Sequence, residues 1–287
     1  MCVSWIDGLK GSVRVAFQGE IGAYSESAVY EFFGPHVYSV PCKRFSDVFR
    51  CVESGETEFG VVPVENSLEG SVTQVYDLFL EHDVKVCGEV ILKIVHCLIA
   101  NPGVDINSIK VVYSHPQALG QCRSFLERLG CELISTYDTA GSVKMIKEHR
   151  MLNAAAIASE RCAEIYGMSV LAKGIADSPN NYTRFFILAK FDAPPTGNDK
   201  TSIIFSTKHV PGALWRALGE FASREINLTK IESRPTRRRP WEYNFYLDFE
   251  GHRTEPRCME ALEGLKANAL FVKILGSYPK AQEKYEE

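Results

Sequence analysis

The sequence predicts an α/β protein of two parts, a larger one with a mostly parallel sheet and a smaller βαββαβ one. Strand–turn–helix units recur from residue 13 to about residue 190, which is typical of parallel strands covered by helices. A segment rich in Pro, Gly and Asp at residues 191–199 indicates a linker. Beyond it the order of elements becomes βαββαβ, the ferredoxin-like arrangement. The length of 287 residues agrees with two domains.

The first part is expected to alternate short apolar strands with helices. Apolar, β-favouring runs predict the strands, and polar turns separate them from the helices. The expected strands span residues 13–17, 37–42, 59–64, 84–100 (long or broken), 110–114, 132–136, 154–158 and 170–175, with a last one beginning near Thr183. The expected helices span residues 25–33, 46–54, 72–82, 116–129, 142–149 and 160–166.

The second part is expected to have four strands and two helices. The strands span residues 202–207, 228–234, 243–250 and 271–278, and the helices span residues 212–224 and 255–267. Three consecutive arginines, Arg237, Arg238 and Arg239, fall between the two middle strands. We interpret them as a solvated loop rather than a nucleic-acid patch, because the net charge is -4.

Composition indicates an ordinary soluble globular protein, with 45% hydrophobic and 24% charged residues. The nine cysteines are scattered without a Cys-x-x-Cys pair, which favours free thiols in a reducing compartment. Residues 1–10 lack the apolar core of a secretory signal, and charged residues interrupt the apolar segment 84–100. We expect a cytoplasmic protein with neither nucleic acid nor membrane as its partner.

Neither a metal nor a nucleotide site is expected. The seven histidines are dispersed without the spacing of metal ligands. The glycine turn at residues 18–25 matches neither the dinucleotide fingerprint nor the P-loop.

Polar clusters follow four of the expected strands. Each cluster could simply cap a helix, but the carboxyl ends of parallel strands share one edge of a sheet, where α/β proteins bind ligands. Together they predict a polar cleft opposite Thr183. The clusters lie at residues 19–25, 65–67, 114–117 and 138–139.

Thr183 and Arg184 begin the last strand of the first part. A hydroxyl donor beside a permanent cation suits the expulsion of hydroxide from an anionic substrate. Taken alone, the pair favours the simpler interpretation, an ordinary strand residue beside a surface charge.

In their order along the chain, the motifs resemble those of the prephenate dehydratases and the closely related arogenate dehydratases. The motifs of the first part are Gly22-Ala23-Tyr24-Ser25, Pro63-Val64-Glu65-Asn66-Ser67, Ser114-His115-Pro116-Gln117-Ala118-Leu119, Asp138-Thr139-Ala140 and Thr183-Arg184-Phe185. Those of the second part, Pro211-Gly212-Ala213-Leu214 and Glu232-Ser233-Arg234-Pro235, are similar to the amino-acid-binding motifs of an ACT domain.

The resemblance implies a catalytic domain at residues 13–190 and an ACT regulatory domain at residues 200–279. The catalytic domain would have two lobes of the periplasmic-binding-protein type, one of residues 13–94 with 176–190 and one of residues 95–175. It further implies a homodimer or homotetramer built through ACT domains, neither metal nor organic cofactor, and phenylalanine as feedback inhibitor. The effector would be bound by Gly212, Ala213, Leu214, Glu232, Ser233, Arg234 and Pro235.

The resemblance also implies roles in the cleft. Thr183 would give its proton to the leaving hydroxyl, with Glu65 and Gln117 assisting, and Arg184 would hold the substrate's side-chain carboxylate. Asp138, like Glu65, could supply a negative surround or fix a loop. The remaining substrate-binding residues would be Tyr24, Ser25, Asn66, Ser67, Ser114, His115, Thr139 and Phe185.

The choice of substrate is less determined than the reaction. Gln18-Gly19 and Ala23 are similar to the arogenate-using relatives, whereas the lack of a plastid-type extension favours prephenate. We expect prephenate, with arogenate as the alternative. A non-catalytic ligand sensor is a further alternative, while an aminotransferase or dehydrogenase lacks its lysine motif or dinucleotide fingerprint.

Overall fold

A computed structural model describes residues 13–236 and 241–282, so Arg237, Arg238 and Arg239 lie outside the described residues. The elements before the linker are β1 (Arg14–Gln18), α1 (Tyr24–Phe33), β2 (Tyr38–Cys42), α2 (Phe45–Ser54), β3 (Phe59–Asn66), β4 (Gly70–Ser71), α3 (Thr73–Glu81), β5 (Lys85–Lys93), β6 (Cys97–Ala100), a 3₁₀ turn (Ile106–Ser108), β7 (Val111–Ser114), α4 (Pro116–Gln121), α5 (Arg123–Leu129), β8 (Glu132–Ser135), α6 (Thr139–Glu148), β9 (Ala154–Ala158), α7 (Glu160–Tyr166), β10 (Ser169–Lys173) and β11 (Tyr182–Ala189). After the linker come β12 (Asp199–Ser206), α8 (Ala213–Ala222), β13 (Leu228–Pro235), β14 (Tyr243–Glu250), α9 (Pro256–Asn268) and β15 (Phe271–Pro279).

The part before the linker contains two sheets, which form two lobes. The first has the strand order β2-β1-β3-β11-β5, and the second has the order β10-β6-β9-β7-β8. The chain crosses to the second sheet between Lys93 and Cys97 and returns between Lys173 and Tyr182. The expected fold class, a two-lobed α/β domain followed by a ferredoxin-like domain, is confirmed.

Each sheet is mixed rather than mostly parallel, which corrects one expectation. Strands β2, β1 and β3 are parallel, as are β9, β7 and β8. The returning strand β11 runs antiparallel to both of its neighbours, and β6 does the same in the second sheet. The direction changes because the chain passes twice between the lobes.

The helix expected over residues 116–129 is two helices that meet at Cys122. Cys122 has a non-helical backbone (φ -112, ψ 21), so the chain bends after Gln121. Gln121 therefore ends α4, on the side of the second lobe that carries His115 and Gln117.

The third sheet has the antiparallel order β13-β14-β12-β15 and confirms the βαββαβ arrangement. Helices α8 and α9 contribute Phe221 and Leu265 to a core with Phe205, Leu247 and Phe249 from the strands.

This third sheet packs directly on the first lobe. Tyr246 and Tyr278 belong to the same hydrophobic core as β1, β3 and β11, and the Tyr246 ring lies 4.9 Å from that of Tyr76. A Cβ atom at Gly276 would lie 2.0 Å from the Val86 carbonyl oxygen, so β15 crosses β5 at backbone distance. The first lobe and the C-terminal domain thus form one packed body.

Within the described residues, eight cysteines are free thiols, and seven of them are buried. No helix of residues 13–236 or 241–282 combines the length and apolar character that a bilayer span requires.

Candidate active site

A cavity of about 730 Å³ lies between the two lobes. Nine of the expected site residues line it, and they come from both lobes. They are Tyr24, Ser25, Asn66, His115, Gln117, Asp138, Thr139, Thr183 and Phe185.

Arg184 lies elsewhere than expected, on the face of β11 away from the cavity. Successive strand residues point to opposite faces, so a strand that presents Thr183 to the cavity turns Arg184 from it. The guanidinium is instead buried against the C-terminal domain, with Nε 2.7 Å from the Glu89 carboxylate and Nη1 2.7 Å from that of Asp248. Burial opposes the charge, but these two acids and Tyr278 outweigh it and raise the pKa of Arg184. The expected clamp on a substrate carboxylate does not fit this position.

Glu65 is likewise outside the cavity, because a β-bulge changes the faces of β3. The pairing with β11 shifts between Arg184, opposite Glu65, and Phe185, opposite Pro63. The extra residue places Pro63 and Asn66 on the cavity side, although they are three residues apart. Glu65 then points to the C-terminal domain, where it lies 2.9 Å from Lys230 Nζ.

Ser67 and Ser114 support the backbone near the cavity without lining it. The Ser67 hydroxyl donates to the Asn180 carbonyl oxygen at 2.9 Å and accepts from the Tyr182 N–H at 2.9 Å. The Ser114 hydroxyl is fully buried and donates to the Ile157 carbonyl oxygen at 2.7 Å. Their expected contact with substrate does not fit these positions.

The Thr183 hydroxyl accepts a hydrogen bond from Asn66 Nδ2 at 3.0 Å. The orientation of the Asn66 amide is fixed, because its oxygen accepts from the N–H groups of Leu68 and Glu69 at 3.0 and 3.1 Å. Since Asn66 donates, the proton of the Thr183 hydroxyl remains available for an acceptor in the cavity.

A chain of side-chain amides continues from Asn66 across the cleft. Asn66 Nδ2 donates to Asn181 Oδ1 at 2.7 Å, and Asn181 Nδ2 donates to Gln121 Oε1 at 2.7 Å. The same Gln121 oxygen lies 2.9 Å from His96 Nε2. Because an amide oxygen only accepts, Nε2 of His96 must carry a proton. The chain therefore fixes one tautomer of the neutral histidine.

The other His96 nitrogen faces the first lobe. Nδ1, which carries no proton in this tautomer, lies 3.0 Å from the Tyr24 oxygen, and the Val95 carbonyl oxygen lies 2.9 Å from it, so the single Tyr24 hydroxyl proton is shared between two acceptors. Burial lowers the pKa of His96, with the hydrogen bond to Gln121 opposing the shift, and burial also lowers the pKa of His115. Both histidines are consequently neutral near pH 7.

Three members of this network were not among the expected site residues: His96, Gln121 and Asn181. Gln121 carries a readable signal, because it lies four residues after Gln117 and so on the same helix face. Asn181 directly precedes the Thr183 strand, and His96 is a polar residue in an apolar segment. Neither signal separates a network member from an ordinary buried polar residue.

Asp138 joins the lobes beside the cavity. As the N-cap of α6, its carboxylate accepts from the Gly141 N–H at 3.3 Å and, across the cleft, from the Glu20 N–H at 2.9 Å. A Cβ atom at Gly19, whose φ is +118, would lie 3.4 Å from this carboxylate. Burial raises the pKa of Asp138, against the lowering effect of these N–H groups. The loop-fixing alternative for Asp138 accords with these contacts.

In the described part of the chain, one lysine and one arginine line the cavity, Lys43 and Arg44. Both are exposed on the loop between β2 and α2, and neither forms an ion pair with a described acidic side chain. The described residues contain no cluster of three His, Cys, Asp or Glu suited to a metal ion.

The residues expected to bind an effector lie at one end of the C-terminal domain. Gly212 precedes α8 with φ +77, and Ala213 and Leu214 begin that helix. Along β13, Ser233 and Pro235 are exposed, whereas Glu232 and Arg234 face the first lobe. The Arg234 guanidinium lies 2.9 Å from the Asp77 carboxylate of α3.

Comparison with known proteins adds sequence likeness to this geometry. A family model described as prephenate dehydratase matches residues 15–193, and one described as ACT domain matches residues 201–267. A bifunctional chorismate mutase/prephenate dehydratase of Aquifex aeolicus is 45% identical over 95% of this chain and 75% of its own length. Arogenate dehydratase/prephenate dehydratase 2 of Arabidopsis thaliana, described as chloroplastic, is 46% identical over 93% of this chain and 73% of its own.

Solved structures agree with the fold. A prephenate dehydratase from Arthrobacter aurescens in complex with L-Phe is 33% identical, with a TM-score of 0.86 over 93% of this chain and 90% of that one. A protein described as GqqA, a novel type of quorum quenching acylase, is also 33% identical, with a TM-score of 0.85 over 93% and 97% of the two chains. On the family match, which covers more than half of its residues, the chain belongs to the prephenate dehydratase family and carries a C-terminal ACT domain.

Proposed function

We propose that the chain is a lyase that converts prephenate to phenylpyruvate, the decarboxylating dehydration of phenylalanine biosynthesis, with arogenate as the alternative substrate. The observation that carries the proposal is the Thr183 hydroxyl in the interlobe cavity, whose oxygen accepts a hydrogen bond from the Asn66 amide. Relatives bear both substrate names, which supports the reaction more strongly than the choice of substrate.

In this reaction the bond to the ring carboxylate breaks and its electron pair enters the ring. The ring C–O bond then breaks as the hydroxyl takes a proton from Thr183 and leaves as water. CO2 is the second product, and a solvent proton restores Thr183. Because aromatisation supplies the thermodynamic drive, the protein mainly has to orient the substrate and protonate the leaving group.

Asn66 compensates for the low acidity of an alcohol. As the Thr183 proton departs, negative charge grows on its oxygen, and the Asn66 N–H already points at that atom. The amide chain through Asn181 and Gln121 keeps Asn66 in place. We propose Gln117, which lines the same cavity, as a polar neighbour of the reacting groups, and assign Glu65 no direct role there.

We propose that Lys43 and Arg44 take the role first expected of Arg184, holding the substrate's side-chain carboxylate. The cavity histidines are neutral, so among the described lining residues these two carry the permanent positive charge. The ring carboxylate is proposed to lie against apolar lining such as Phe185 and Pro63. A tight ion pair there would stabilise the ground state and oppose loss of CO2.

We further propose the division into catalytic residues 13–190 and ACT residues 200–279. L-Phenylalanine is proposed as the feedback inhibitor, bound near residues 212–214 and 232–235 where ACT domains pair in a homodimer or homotetramer. The ACT match and the L-Phe complex of the Arthrobacter relative support this. A cytoplasmic location is part of the same proposal.

The test offers the purified protein prephenate and arogenate side by side, with and without L-phenylalanine. Mass spectrometry follows phenylpyruvate and phenylalanine as products. Turnover of either substrate supports the reaction, and the ratio of kcat/KM values decides between them. Binding of a substrate without turnover would instead favour a ligand sensor.

A further inference from the structure

The β3–β4 hairpin links the cavity to the ACT domain. Its cavity side carries Asn66, which holds the Thr183 hydroxyl, and Glu69, which accepts from Gln121 Nε2 at 3.4 Å. Its reverse side carries Glu65, which is paired across the hairpin with Ser71. A displacement of this hairpin would therefore move the amide that orients Thr183.

Lys230 of β13 reaches over the hairpin from the ACT domain. Its Nζ lies 2.9 Å from Glu65 Oε1 and 2.8 Å from Ser71 Oγ, so it bonds to both strands of the hairpin at one paired position. Its side chain is only 8% exposed, and Nζ also lies 5.5 Å from the centre of the Tyr76 ring. Such a buried ammonium with several partners has little freedom to move independently of the hairpin.

The same lysine contacts the expected effector segment. Glu232 lies two residues along β13 on the same face, hydrogen-bonds with the Ser71 hydroxyl, and has its carboxylate 3.5 Å from Lys230 Nζ. An amino-acid effector brings an ammonium group, which is a competing partner for that carboxylate. If Glu232 turned to an effector, Lys230 and Ser71 would lose an acceptor, and Glu65 would become the remaining carboxylate partner of Lys230.

We propose that Lys230 is a positioning residue that couples the effector segment to the acid of the reaction. It holds the hairpin behind Asn66, and its shared contacts with Glu232 make that hold depend on effector binding. The inference rests on the proposed function, in which Thr183 is the acid and L-phenylalanine the effector.

The experiment uses the full-length protein and its Lys230→Met variant, with Lys273→Met as the matched control. Lys273 is also an ACT lysine at the junction, but it donates to the carbonyl oxygens of Phe79 and His82, away from the hairpin. Turnover at substrate concentrations well below KM and hydrogen exchange of residues 64–71 are measured with and without L-phenylalanine, and the affinity for L-phenylalanine is measured by calorimetry.

In the wild type we expect L-phenylalanine to lower turnover at limiting substrate by about five- to 150-fold, the usual range by which an effector changes the affinity for a second ligand, and to change exchange in the hairpin. In Lys230→Met both effects should shrink to less than about twofold while the affinity stays within about threefold, because coupling and binding are separable. Lys273→Met should behave as wild type. Lys230→Arg, which keeps the charge, should restore at least part of the response.

Full inhibition of Lys230→Met would overturn the inference, as would an equal loss of response in Lys273→Met. Loss of L-phenylalanine binding in Lys230→Met would also overturn it, because Lys230 would then belong to the effector site. If Lys230→Met does not fold, Glu65→Gln removes the same ion pair from the other side and should weaken the response likewise. The exchange measurement needs no turnover, so failure of the proposed reaction and failure of the coupling can be told apart.

Discussion

Replacing Thr183 by valine tests the proposed acid with little change of shape. Valine keeps the β-branched outline, and the site is only 9% exposed, so packing should survive. Asn66 Nδ2 loses one acceptor but keeps Asn181 Oδ1 at 2.7 Å and the Tyr182 carbonyl oxygen at 3.1 Å. The free energy of unfolding should therefore fall by only about 1 kcal/mol, the low end of the cost of a lost buried hydrogen bond.

Turnover should fall far more. A positioned general acid typically contributes about 10²- to 10⁴-fold, so kcat of Thr183→Val should drop by that factor. This corresponds to about 3–5 kcal/mol of transition-state stabilisation. Substrate affinity should change by less than about threefold, because the hydroxyl acts on the leaving group in the transition state.

The assay combines product formation by mass spectrometry, calorimetric binding of substrate to the inactive variant, and urea unfolding. Thr57→Val serves as the control, since the Thr57 hydroxyl is buried without a hydrogen-bond partner among the described residues. The same exchange there should leave kcat unchanged and should not lower stability. A Thr183→Val enzyme that keeps more than about one tenth of wild-type kcat would refute the assignment of Thr183 as the acid.

Two further predictions concern Arg184 and His96. Arg184→Met removes the cation that pairs with the buried carboxylates of Glu89 and Asp248. The free energy of unfolding, measured in urea, should therefore fall by about 3–5 kcal/mol, and KM should change little. The control Arg50→Met removes an exposed ion pair and should lower it by less than about 1 kcal/mol. A raised KM at unchanged stability would instead indicate that Arg184 binds the substrate in the cavity. Burial lowers the pKa of folded His96, while the unfolded chain titrates near about 6.5, so the unfolded state takes up the proton first as pH falls. The contribution of His96 to the free energy of unfolding should have its full value above about pH 6.5. Below that pH it should decline by at most about 1.4 kcal/mol per pH unit. His96→Gln should lack that decline when urea midpoints are compared at pH 7.5 and 5.5, and identical pH dependence in both proteins would contradict the assignment.

Much of the architecture could be predicted from the sequence, because the apolar runs and turn residues are regular. The order of elements and both halves of the fold followed from that pattern and from the linker at residues 191–199. Strand direction at the crossings did not follow, since local patterns carry no information on which neighbour a strand joins. The break at Cys122 was also missed, although Pro116 correctly marked the start of α4.

In the site, the limits of sequence reasoning follow from which way side chains point. Thr183 and Arg184 are adjacent, so the period of two in a strand already separates them, and placing both on one substrate was inconsistent with that period. Glu65 and Asn66 are different, because simple alternation from Pro63 would put Glu65 on the cavity side. Only the bulge reverses this, and an irregularity in pairing depends on the partner strand.

The amide chain was beyond sequence reasoning for another reason. Asn66 and Asn181 are 115 residues apart in sequence, yet their side chains lie 2.7 Å apart. Such contacts depend on how two lobes meet, and polar residue types alone do not specify their partners.

The crossing of β15 over β5 at Gly276 limits the exchange of ACT domains between this protein and its relatives. Because the junction at Gly276 leaves no room for a Cβ atom, the ACT domain is packed against the first lobe at backbone distance and is not merely joined to it by the linker. Removing the C-terminal domain would expose Glu89 and Arg184, which now form ion pairs with Lys200 and Asp248 of that domain. Exchange of ACT domains between relatives should therefore yield folded proteins only where the residues on both sides of this interface come from the same parent.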